Sequence, residues 1–129
     1  MPWSLDARIP IVTVVDQAAL DTALAGGRPA ALLLGPAPEG ASRPDTPPPG
    51  AVALARFDLS AASHAAACAC CAGRGQAAAA LDRLFQARVR NACPWFERVV
   101  ALAETPEAEA EIAAALMRDA VTAARFRAG

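Results

Sequence analysis

The stretch Ile9-Pro-Ile-Val-Thr-Val-Val15, followed by Asp16-Gln-Ala-Ala-Leu-Asp-Thr-Ala-Leu24 and then Gly26-Gly27, decides the fold. The first run is short and β-branched, as a buried strand requires, with Pro10 near its start. Asp16 offers a helix N-cap, Leu20 and Leu24 lie four apart on one helical face, and the glycine pair stops the helix. A strand feeding directly into an amphipathic helix is the opening of an α/β unit.

Working outward, Ala30 to Leu34 reads as a second strand and Ala51 to Phe57 as a third. Residues 35 to 50 between them are rich in Pro and Gly and almost free of apolar side chains, so 36–50 is expected to be a mobile loop. The clearest helix spans about 76 to 90, with Ala77, Leu81, Leu84, Phe85 and Val89 as its apolar stripe. Arg98 to Ala103 reads as a fourth strand. Thr105 caps the next helix, with Pro106 at its first position and Ile112 and Leu116 on its apolar face. Val121 to Phe126 reads as a last helical turn or two. This alternation predicts one α/β domain over 1–129, three layers deep, on a mostly parallel sheet of about four strands. Ligands of such sheets sit beyond the carboxyl ends of the strands.

Composition narrows the function. The 129 residues carry a net charge of −1 with acidic and basic groups interspersed, which does not fit a nucleic-acid binder. All twelve basic residues are arginine. No segment reads as a membrane span or a signal peptide, so a cytoplasmic protein with reduced thiols is expected.

Three of the four cysteines stand together as Cys68-Ala69-Cys70-Cys71, just before the clearest helix. Disulfides within so tight a cluster would be strained. Clustered thiolates suit a soft or borderline metal ion, zinc or cuprous copper. Arg74 and the N-terminus of the following helix would stabilise the thiolate form. His64, the only histidine, is either a fourth ligand or an exposed loop residue. Cys93 is either a further ligand or a small core residue. Trp95, Phe96 and Phe85 read as core, and Asp58, Glu97 and Glu104 have no nucleophile or histidine at informative spacing.

The run from Cys68 to Glu104, CACCAGRGQAAAALDRLFQARVRNACPWFERVVALAE, resembles the central part of the CobW-type metal-chaperone GTPases. That family places Cys-x-Cys-Cys before a helix of the form ALxRL, then a short segment with a Pro/Phe pair and a strand. The segment from Asp119 to Phe126 resembles a later family segment, and the likeness spans roughly residues 9 to 127. It implies that Cys68, Cys70 and Cys71 are metal thiolates in a shortened P-loop-like domain. The family's first strand runs into a glycine-rich loop ending in Lys, whereas here it runs into Asp16 to Leu24. No lysine exists to reach a phosphate, Pro106 stands where the family has a switch glycine, and the guanine-reading motif is absent.

The expectation is a small zinc protein of metal homeostasis that hydrolyses no nucleotide and is not an enzyme. The alternatives are a non-catalytic interaction module, pairing with itself or with a complete CobW-type GTPase, and a thiol redox protein using Cys70 or Cys71.

Overall fold

The computed structural model describes residues 7–36, 46–58 and 75–129. Five strands form one all-parallel sheet: β1 Ile9–Val14, β2 Ala30–Leu34, β3 Ala51–Arg56, β4 Arg98–Leu102 and β5 Phe126–Ala128. Their spatial order is β3-β2-β4-β1-β5. The helices are α1 Gln17–Ala25, α2 Gln76–Val89, α3 Pro106–Arg118 and α4 Ala120–Arg125.

The chain steps one way across the sheet from β1 through β2 to β3, then returns to β4 and β5. Crossovers of a single hand then require helices on opposite faces for the two directions. That is the arrangement observed. Leu20 and Leu24 of α1 pack on Ala30, Leu32, Leu34, Val100 and Leu102. On the other face α2 and α3 bring Leu81, Leu84 and Ile112 against Ile9, Ile11, Leu33, Val99 and Ala101. All five β2 residues are buried, as befits a central parallel strand covered on both faces.

The capping expectations hold. Asp16 Oδ1 accepts from Ala19 N at 2.7 Å, and Thr105 Oγ1 accepts from Ala108 N at 3.1 Å. The end of α1 has a partner that sequence order conceals. Arg98 donates to Ala23 O at 2.9 Å, Arg28 O at 3.1 Å and Gly26 O at 3.3 Å. One guanidinium thus closes the carbonyls left over at a helix C-terminus and its following turn.

Three expectations need correction. The sheet has five strands, because β5 follows α4 directly and pairs with β1. Val89 is exposed, because it lies in the last turn of α2, past the edge of the layer it was expected to cover. Trp95 is 57 % exposed whereas Phe96 is fully buried. Trp95 packs its face under the Arg88 guanidinium, 3.6 Å from the ring centroid, instead of entering the core.

Of the loop between β2 and β3, residues 37–45 lie outside the described residues, and its end is packed. Ala51 N donates to Pro48 O at 3.0 Å, and Gly50 has φ +92°. A Cβ there would come within 2.6 Å of Leu24 O, so this turn needs glycine both for its backbone angle and for its closeness to α1.

Thr122 in α4 is 2 % exposed, and its Oγ1 has no hydrogen-bond partner among the described residues. An unsatisfied buried hydroxyl costs about 1–3 kcal/mol. Thr122→Val keeps the shape and removes the hydroxyl, so it is expected to stabilise the fold by about 1 kcal/mol in urea denaturation. A loss of stability would mean that the hydroxyl has a bonded partner after all.

Candidate functional site

The carboxyl end of the sheet is where this topology gathers loops. After β1 the chain leaves through Asp16 to α1 on one face. After the neighbouring β4 it leaves through Ala103-Glu104-Thr105 to α3 on the other. A crevice opens where such connections part. β3 ends at the same edge, running through Phe57 to Asp58, and α2 begins at Gly75.

His64, Cys68, Cys70, Cys71 and Arg74 fall between Asp58 and Gly75 and lie outside the described residues. Among the described residues no three His, Cys, Asp or Glu side chains gather as a metal-ligand set. What the structure does give is the two ends of that segment: Asp58 follows the exposed Arg56 at the end of β3, and Gly75 leads into α2. Asp16 caps α1, Asp58 follows β3 and Glu104 follows β4.

Glu111 belongs to the same setting, and sequence reasoning missed it. It sits in the second turn of α3, and its Oε2 accepts from Ala77 N in the first turn of α2 at 3.1 Å. Gly75, the N-cap residue of α2, makes no side-chain cap of its own. A Cβ at Gly75 would stand 2.5 Å from Glu111 Oε2, so the glycine makes room for the carboxylate. A donor and acceptor 34 positions apart leave no local signal.

The helix N-termini at this edge therefore already have acceptors from the chain itself: Asp16 on α1, Glu111 on α2 and Thr105 on α3. The positive end of α2 is met by the Glu111 carboxylate.

Cys93 lies at the other end of α2, in the turn that follows Asn91 with its left-handed φ of 58°. About 21 Å of helix separates that end from Gly75. Cys93 is a half-buried free thiol packed against the core formed by α2, α3 and the sheet. Burial pushes its pKa up, and the Arg88 charge opposes that shift. This is the environment of a small packed residue.

Glu97 is separated from Glu104 by the whole of β4. It stands just before that strand, with its N–H on Pro29 O at 3.0 Å and its carboxylate 3.8 Å from Arg28. It cannot join Asp58 and Glu104 in one acid/base set.

No known family matches the chain, nor does any curated protein or any solved structure. Among the described residues no helix is long and apolar enough to cross a membrane.

Proposed function

We propose that this chain is a small cytoplasmic metal-binding protein of metal homeostasis, holding zinc through Cys68, Cys70 and Cys71 and hydrolysing no nucleotide. The observation that carries the reading is the Cys-x-Cys-Cys cluster in a segment that starts and ends at the carboxyl edge of the sheet. Three thiolates leave one zinc position open. Water, His64 or a group from a partner is its occupant in this proposal.

The resemblance to CobW-type metal chaperones supports the same cysteines and rests on the sequence motif. The direct test is metal analysis of protein purified under reducing conditions. About one equivalent of zinc per chain is expected, and metal-free protein that takes up none on titration would refute the proposal.

The nucleotide half of the reading has its own test. A phosphate needs unclaimed N–H groups at a helix N-terminus and a cation to neutralise it. Here those helix ends hold Asp16, Glu111 and Thr105, and the sequence has no lysine. Calorimetric titration with GTP or ATP in Mg²⁺ is expected to give no saturable heat. Micromolar, Mg²⁺-dependent binding would show that a phosphate site exists.

A further inference from the structure

The helices α3 and α4 are separated by a single residue. Asp119 is extended, with φ −90° and ψ 110°, and it ends α3 while starting α4. Its N–H donates to Ala115 O at 3.3 Å, and its Oδ1 accepts from Thr122 N at 3.0 Å. Apart from that cap, the sequence runs on as one helix. From Glu107 to Phe126 it has neither glycine nor proline. Ala108, Ile112, Ala115, Asp119, Thr122 and Phe126, all buried or half-buried, keep helical spacing straight through the break. Local preference therefore favours one helix, and tertiary contacts hold two.

The contacts that anchor the segment after the break lie on α2 and β1. Phe126 is buried, pairs in register with Ile9, and meets the Phe85 ring edge-on with centroids 6.2 Å apart. Arg125 bonds Asp82 and lies over the Phe85 ring, 4.2 Å from its centroid. Gly129 N donates to Ile11 O at 2.8 Å. A second copy of the chain offers all of these partners in the same geometry. The 13 residues of α3 span about 20 Å, already more than the roughly 17 Å of the five-residue β4. A helix continued through Asp119 would thus run past the end of the sheet, taking Phe126 away from its own α2. Asp119 and Thr122, the polar members of the stripe, would then reach water.

We infer that Asp119 is a hinge through which two copies of this chain exchange α4 and β5. In the exchanged dimer α3 and α4 form one helix, and β5 of each copy pairs with β1 of the other. The dimer keeps the Phe126, Arg125 and β5 contacts and gains helix continuity. It loses the Asp119 cap and the entropy of association, so protein concentration sets the balance. The inference stands apart from the metal reading, since it uses α2, α3, α4, β1 and β5 and no residue of the Cys-x-Cys-Cys cluster.

The test is sedimentation velocity of the full chain in reductant over a wide range of concentration. Wild type is expected to pass from monomer to dimer as concentration rises. Asp119→Ala removes the α4 cap in both copies, so the dimerisation constant should rise by about tenfold or more. Ala120→Pro should stay monomeric. Proline suits the first position of α4 after an already extended Asp119, and it would break a continuous helix. Exchange itself is read with Asp82→Arg and Arg125→Asp. Each variant alone sets like charges together, whether its segments are exchanged or not. Mixed, the two restore both ion pairs only in a heterodimer with exchanged segments. Wild type and Asp119→Ala both monomeric at every concentration would overturn the inference. So would an Ala120→Pro dimer as tight as wild type, or a mixture of the charge variants that yields no heterodimer. If Ala120→Pro does not fold, the mixture decides the point.

Discussion

Replacing any one of Cys68, Cys70 and Cys71 with serine is expected to weaken zinc binding by about a hundredfold. Structural zinc sites bind with about 10–16 kcal/mol over four ligands, so one thiolate contributes roughly 3 kcal/mol. Cys93→Ser should leave the affinity close to wild type, since that thiol is half-buried against the core beyond the far end of α2. His64→Ala separates a histidine fourth ligand, which would cost affinity, from water or a partner group, which would not. The pH dependence follows from the same chemistry. Each thiol must lose its proton to bind, so zinc binding releases protons and the affinity falls as pH is lowered. A competition titration against a chelator of known zinc affinity measures all of this. Wild type binding no tighter than the triple-serine variant would remove the metal reading and put the interaction module first.

The same titration tests the setting of the site through Glu111. Its carboxylate meets the first turn of α2, where the cysteine segment rejoins the described fold. Such a cap is worth about 1 kcal/mol in stability. Glu111→Gln keeps an acceptor and removes the charge, so any change in zinc affinity reports electrostatics and not the loss of the cap.

What was legible in the sequence was what repeats locally. The period-two and period-3.6 patterns gave β1, α1, β2, β3, α2 and β4 close to their observed bounds, and the start of α3, because each buries a face that its own residues define. Asp16 and Thr105 were legible because a cap and its acceptor lie three residues apart. β5 was not, since Phe126-Arg-Ala128 is too short to show alternation and becomes a strand only by pairing with β1. The Arg98 clamp on α1 and the Glu111 cap on α2 were hidden for the same reason: their partners meet only in the folded sheet. At the candidate site, the cysteine cluster is a local signal, whereas the Glu111 carboxylate at the start of α2 is a product of topology.

Trp95 and Phe96 give this limit a number. Adjacent aromatics before a strand read alike in sequence, yet one is fully buried and the other is not. Phe96 lies in the core with its carbonyl accepting from Arg88 Nε at 2.9 Å. Phe96→Ala removes a ring from a close-packed interior and is expected to cost about 3–5 kcal/mol. That is a large part of the roughly 5–15 kcal/mol that holds such a domain together. Trp95→Ala loses the stacking of an exposed ring on Arg88, about 0.5–1 kcal/mol, and leaves the Arg88 bond to Phe96 O in place. Urea denaturation of the two variants should therefore differ by about 3 kcal/mol or more. Equal costs would mean that Trp95 shares the core with Phe96, and the open face assigned to Trp95 would be wrong.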